Sequence, residues 1–195
     1  LSGTAAIQVD KGASQTSDRV LGITTLTQGG ALQVANLGAA LTVGDSFPVF
    51  TATTYAGSFA SVTPAPGTGL AWDTEKLRTN GVLRVHNKPV ANNDSASAQL
   101  GQTITIPIVK LLANDSDADS DPLSIPSVSA NASVGGGFVT YTAPLTGSSD
   151  TITYTLSDGR GGTATGTINV TLTGSGGSYN QLSATVLLGG DLELT

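Results

Sequence analysis

The chain has 195 residues, of which only 11% are charged, with a formal net charge of −6 and no cysteine. Disulfides, thiolate catalysis and sulfur-ligated metals are therefore excluded, and an acidic balance with no Lys/Arg cluster argues against binding a nucleic-acid phosphate backbone. Thr, Ser, Gly, Ala, Val and Leu dominate, Met is absent, and Lys, Glu and Arg are scarce. Such a composition suits strands and tight turns rather than helices, so the expected class is all-β. No stretch approaches the ~18 apolar residues of a membrane span, so no membrane insertion is expected in this segment. The opening L-S-G-T-A-A-I-Q-V-D-K-G lacks the basic start and apolar run of a signal peptide. It reads as the middle of a strand, and the sequence is expected to be a piece of a longer chain.

From residue 1 to about 86, short runs alternate apolar with small polar residues: T-A-A-I-Q-V, V-L-G-I-T-T-L, A-L-Q-V-A, A-L-T-V, F-P-V-F-T and G-V-L-R-V. Each is predicted as a strand, with turns at Gly29-Gly30, Gly44-Asp45 and Asn80-Gly81. Between Gly38 and Val85 the chain reads L-G-A-A-L-T-V-G-D-S-F-P-V-F-T, then G-L-A-W-D-T-E-K-L-R-T-N-G-V-L-R-V. Over about residues 20 to 85 this resembles the end of the β-solenoid in bacterial autotransporter-like surface proteins with autotransporter-associated β-strand repeats. The resemblance implies that residues 1–86 are a β-rich solenoid end or cap of stacked parallel strands, closed by the W-D-T segment.

His86-Asn87-Lys88-Pro89 reads as a short linker, because Pro ends pairing and the composition changes after it. Residues 87–172 then carry about seven short strand-like runs separated by turn residues, the pattern of an immunoglobulin-like sandwich. P-V-A-N-N-D-S, V-K-L-L-A-N-D-S-D-A-D-S-D-P-L-S-I, G-F-V-T-Y-T-A-P and D-T-I-T-Y-T-L-S-D-G-R-G-G-T-A-T-G-T-I-N-V-T-L together resemble one bacterial cadherin-like repeat, spanning about residues 89 to 172. Such repeats occur in tandem in large secreted and cell-surface adhesins. After them T-G-S-G-G-S reads as a flexible linker, and 173–195 holds strand-like runs that suit a hairpin, a donor strand or the start of a further domain.

The densest charge lies in N-D-S-D-A-D-S-D-P, where Asp115, Asp117, Asp119 and Asp121 alternate. On an extended backbone they would share a face at about 6.6 Å spacing and repel by about 2.5 kcal/mol per neighbouring pair at an effective dielectric near 20. The segment must therefore bend, and its Asn, Ser, Asp and Pro content favours a loop. Calcium suits a cluster of carboxylates, because it takes six to eight oxygens in irregular geometry. An EF-hand is excluded, since Ser120 stands at its Gly position and Pro126 at its final Glu. The cadherin-like resemblance implies that the acidic loop meets the acidic residue opening the first strand. Asp94, Asp115, Asp117, Asp119 and Asp121 are then the candidate Ca2+ ligands, with Asp158 of S-D-G-R-G-G a weaker one. Gly is common in that family where this chain has Ser120, and Ser reaches left-handed backbone only with strain. The competing reading of the cluster is a solvated, turn-forming loop.

Catalytic patterns are sparse. The single histidine, His86, is expected to be a surface or linker residue, and no spacing nominates partners for a Ser-His-Asp site. Asp73 and Glu75 beside Trp72 form a weak glycosidase-like pair, and Trp72 is expected in a core. The N-x-S/T triplets at Asn93, Asn114, Asn131 and Asn169 are expected by chance in a Thr-rich chain. Lys110 and Asn114 lie too near in sequence to cross-link separate strands usefully.

The expectation is a non-enzymatic, secreted or cell-surface structural module, stiffened by calcium. It would contact neighbouring domains of a longer chain or self-associate head-to-tail into fibres, with T-A-A-I-Q-V and L-S-A-T-V-L-L as donor strands. The alternative is an accessory carbohydrate-binding or spacer module of a polysaccharide-acting protein, contacting glycans through an exposed Trp72 or Tyr179.

Overall fold

The computed structural model describes residues 3–12, 14 and 16–174. In the first half, β1 (Thr4–Asp10), β2 (Thr16–Ser17), β3 (Val20–Gln28), β4 (Ala31–Asn36), β5 (Ser46–Pro48), β6 (Phe50–Gly57), β7 (Ser61–Thr63) and β8 (Leu70–Asp73) are followed by helix α1 (Thr74–Asn80) and β9 (Val82–Asn87). Two ladders here are parallel. β1 pairs with β4 and β4 with β7, so that Thr4 faces Ala31 and Ala31 faces Ser61. β3 pairs with β6, Gln28 facing Gly57. Parallel neighbours cannot be joined by a hairpin, and each pair is separated by one circuit of chain that supplies a strand to the other ladder. Val9, Leu32, Phe47, Val49, Leu77, Leu83 and Val85 lie at the centre of the core that these circuits enclose.

An antiparallel sheet in the order β5-β9-β8 closes this half. Helix α1 lies between β8 and β9, in a stretch for which no helix was expected. Its N-cap is Asp73, whose carboxylate accepts from Lys76 N at 2.9 Å. Glu75 occupies the first turn, Arg78 the last, and Gly81 ends the helix at φ 73° with its N–H on Leu77 O. Leu77, on the inner face, is fully buried, and the Gln28 amide donates to its carbonyl at 2.9 Å.

Two of the expected strands differ. A-L-T-V is a loop, because Thr42 N donates to Asp45 Oδ2 and Asp45 N to Thr42 O, closing a tight turn while Leu41 is buried. F-P-V-F-T is divided at Val49 between β5 and β6. T-A-A-I-Q-V, expected as a strand and as a possible donor, is β1, in register with β4 along Thr4–Val9. L-S-A-T-V-L-L and Tyr179 lie outside the described residues.

The second half contains β10 (Asp94–Gln99), β11 (Thr103–Pro107), the single turn α2 (Ile108–Leu111), β12 (Ser124–Val128), β13 (Ala132–Gly135), β14 (Phe138–Thr142), β15 (Ser149–Ser157) and β16 (Thr163–Thr173). A four-stranded sheet in the order β10-β16-β15-β12 packs on a three-stranded sheet in the order β11-β14-β13. Between them lies a second core, with Val139, Tyr141, Ile152, Tyr154, Leu156, Ile168 and Val170 at or below 1% exposure. Strict alternation places these side chains inward: β15 and β16 bury every second residue. The Tyr141 hydroxyl donates to Asp150 Oδ2 at 2.7 Å. That bond, together with Thr151 N and the Asn131 amide, holds the Asp150 carboxyl below the usual carboxylate range. Burial, with the same carboxylate, pushes the Tyr141 hydroxyl up to about 12.

Candidate functional site

The acidic loop bends as its composition requires, and its carboxylates fan out to different partners. Asp117 Oδ1 turns back on its own loop, accepting from Asp119 N at 2.8 Å and Asp121 N at 3.1 Å. Ser120, between them, has φ 63°, and no other non-glycine residue among those described has positive φ. The position thus uses the left-handed conformation for which glycine is suited, at a cost of about 1–2 kcal/mol for a residue with a Cβ.

Asp94 and Asp115 come together. The Tyr154 hydroxyl lies 3.2 Å from Asp94 Oδ2 and 3.1 Å from both Asp115 oxygens, and Asp115 also accepts from Asn92 N at 2.8 Å. One O–H stands between two carboxylates. Burial pushes the Asp94 carboxyl up, with Asp115 repelling it further, while the hydrogen bonds from Tyr154 and Asn114 pull the other way without reversing the shift. The Tyr154 hydroxyl is itself raised by burial and by the two carboxylates.

The remaining acidic residues point to the junction with the first half. Asp119 accepts from Asn87 N at 2.7 Å and from Asn87 Nδ2 at 3.1 Å. Asp121 Oδ1 accepts from Arg160 Nε, whose Nη1 lies 3.2 Å from Glu75 Oε2 and 3.6 Å from Asp73 Oδ2. Arg160 thereby bridges the acidic loop and the N-terminus of α1. Its backbone does the same, since Arg160 O accepts from Thr74 N at 2.7 Å and from Thr74 Oγ1 at 3.1 Å. The next residue, Gly161, has φ 121°, and a Cβ there would lie 2.6 Å from Trp72 O. Only glycine allows the turn this close to β8.

Asp158 shapes that turn. Its Oδ1 accepts from Arg160 N at 2.8 Å, Gly161 N at 3.2 Å and Gly162 N at 3.0 Å. Burial raises its carboxyl nonetheless, against these N–H groups and His86. Its other oxygen, Oδ2, is buried with no hydrogen-bond partner and lies 3.7 Å from His86 Nδ1.

His86 is therefore not the surface or linker residue expected. It belongs to β9, paired with Ala71 of β8, and is only 4% exposed. Alternation along β9 sends Leu83 and Val85 into the first core, and Arg84 and His86 to the opposite face. The sandwich's own turn and acidic loop cover that face. Neither ring nitrogen has a hydrogen-bond partner. His86, Asp119 and Asp121 offer ligand atoms within 4.8 Å of one another, and no other group of three or more His, Asp or Glu residues does so among the described residues. They line a cleft of about 360 Å³ together with Asp73, Lys76, Arg84 and Arg160.

The six sequence candidates are thus not brought to one point. Asp94 and Asp115 flank Tyr154, Asp117 caps its loop, Asp119 and Asp121 face His86, and Asp158 stands behind the imidazole. Trp72 is 5% exposed, as expected of a core residue, with its indole N–H donating to Pro64 O at 2.8 Å. Asp73 caps α1, and it shares Arg160 Nη1 with Glu75.

The two packed sheets, antiparallel except for the β10–β16 edge, define the second half as an immunoglobulin-like sandwich. Residues 86–171 match the sequence model of the bacterial Ig domain, a match consistent with a surface or structural module. No curated protein matches the chain. No helix among the described residues is long and apolar enough to cross a membrane.

Proposed function

We propose that the chain is a rigid structural segment of a secreted or cell-surface protein, non-catalytic, in which a β-solenoid end is locked to an Ig-like module. The observation that carries this reading is the junction. Arg160 reaches Asp121, Glu75 and Asp73, Thr74 bonds its carbonyl, and Gly161 abuts Trp72. Domains that need only be tethered do not require such contacts, because relative motion is the default unless an interface opposes it. The solenoid reading of the first half rests on its two parallel ladders, whose strands recur once per circuit.

The open edge of β1 bears on assembly. Beyond the two-residue pairing with β2, Thr4–Ile7 have no strand beside them on that side among the described residues. A further coil of a longer chain, or a strand of another copy, would extend the stack there. At the junction Asp119 and Asp121 converge with an imidazole, which suits calcium's all-oxygen shell poorly, whereas Asp94 and Asp115 converge among oxygens around the Tyr154 hydroxyl. The stiffness is assigned instead to the direct contacts. Trp72 is buried, which removes one of the two platforms considered for the glycan-binding alternative, and Tyr179 lies outside the described residues.

Small-angle scattering tests the proposal. A single rigid envelope is expected for the chain, and an Arg160→Ala, Gly161→Val double variant should give the profile of two bodies on a hinge. A wild-type profile already requiring a hinge would overturn it.

A further inference from the structure

The imidazole of His86 is buried, and both its nitrogens lack a hydrogen-bond partner. Buried polar groups are nearly always satisfied, and each exception calls for a ligand or another cause. Asp158 Oδ2 is also unsatisfied, on the Nδ1 side of the ring at 3.7 Å. Asp119 and Asp121 bring carboxylate oxygens to within 4.8 Å of the ring. Arg160 occupies Asp121 Oδ1, which leaves Oδ2 for another partner.

We infer that His86, Asp119 and Asp121 form a binding site for a first-row divalent transition ion such as Zn2+, at the seam between the two halves. Imidazole and carboxylate suit such ions, whereas calcium and magnesium prefer oxygen alone. With ligands at about 2.1 Å from the metal, tetrahedral neighbours lie about 3.4 Å apart. The site must contract from its present spacing, with the exposed Asp119 turning from Asn87 toward the ring.

Asp158 supplies the outer support. Asp158 Oδ2 lies 3.7 Å from Nδ1, and closing that gap to a hydrogen bond would fix the tautomer that leaves Nε2 for the ion, an arrangement recurrent in metal centres. Lys76, Arg84 and Arg160 share the cleft and oppose a cation, but Asp73, Asp119 and Asp121 line it with them, and Asp158 is adjacent. An ion bound here joins β9 of the first half to the acidic loop of the second. It would add to the junction whether the segment adheres, projects or merely spaces.

His86 is the only histidine in the chain, so its ring resonances report the site directly. Zn2+ alone would be titrated into the tag-free, chelator-treated chain and followed by NMR of the imidazole nitrogens and by calorimetry. One ion per chain is expected, with the His86 signals shifting in step, at least tenfold weaker binding in Asp119→Asn, and no displacement by a hundredfold excess of Ca2+. Asp119 is exposed, so this variant should keep its fold, as its amide spectrum will show. The assignment is overturned if Zn2+ does not bind, if it binds without moving the His86 ring signals, if Asp119→Asn binds as tightly as the wild type, or if Ca2+ displaces it.

Discussion

The two halves of this chain solve the same problem in different ways. The first uses parallel ladders between strands far apart in sequence, followed by a separate antiparallel sheet of β5, β9 and β8 with helix α1 packed beside it. The sandwich uses mainly antiparallel ladders, with β15 and β16 paired along nine residues, and fixes its loops through two buried tyrosines that reach outward to carboxylates. Helix α1 is anchored by the buried Leu77 and the sandwich loops by tyrosine hydroxyls, so different substitutions should break them.

The largest effect is expected from Leu77→Ala, which empties the buried face of α1 and should cost about 2–5 kcal/mol. Hydrogen exchange should show the loss in residues of β8, α1 and β9, with the sandwich amides protected as before. Tyr154→Phe should do the converse. It removes the O–H between Asp94 and Asp115 and should cost the sandwich about 2–3 kcal/mol.

Acid sharpens the contrast within the sandwich. The folded-state pKa of Asp94 is raised, so its favourable contribution is full below the unfolded value and is lost as pH rises through the folded one. Asp94→Asn should therefore raise the melting temperature at pH 7 and leave it nearly unchanged at pH 3. Asp150 is opposite in sign. Its pKa is lowered, so its contribution is present above the unfolded value and lost as pH falls through the folded one. Tyr141→Phe should accordingly destabilise at pH 7, with a smaller difference under acid melting. The smallest effect is a gain: Ser120→Gly relieves the left-handed residue of the acidic loop and should stabilise the sandwich by about 1 kcal/mol, measured by urea unfolding.

What the sequence made legible was periodicity. In the sandwich β10, β11, β12, β14, β15 and β16, and in the first half β1, β3 and β4, were visible as strand-like runs, because their apolar side chains turn inward, whereas β13 was not. The bend of the acidic loop followed from charge repulsion, and Ser120 was already marked as the residue out of place. Helix α1 was missed although its signals were present: Asp73 to cap it, Glu75 in its first turn and Gly81 to end it. Seven residues are too few for helical periodicity to outweigh the strands on either side.

His86 was missed for another reason. In L-R-V-H the histidine shares a face with Arg84, and that alternation alone assigns it to solvent. Its burial comes from Asp158 and the turn after it, more than seventy positions away. Long-range covering of this kind leaves no local mark. The same holds for the carboxylates: their type and spacing announced a cluster, but the partners that pull it apart, Tyr154, Asn87 and Arg160, come from three other elements.

Rigidity of the junction is the central expectation, and the absence of cysteine allows it to be tested with two introduced labels. Thr53→Cys on β6 and Thr165→Cys on β16, both exposed, would carry spin labels for a pulsed dipolar distance measurement. A rigid junction should give one narrow distance distribution in the wild-type background, broadening when Arg160→Ala and Gly161→Val are added. A broad distribution in the wild-type background, or a narrow one that survives both substitutions, would contradict it.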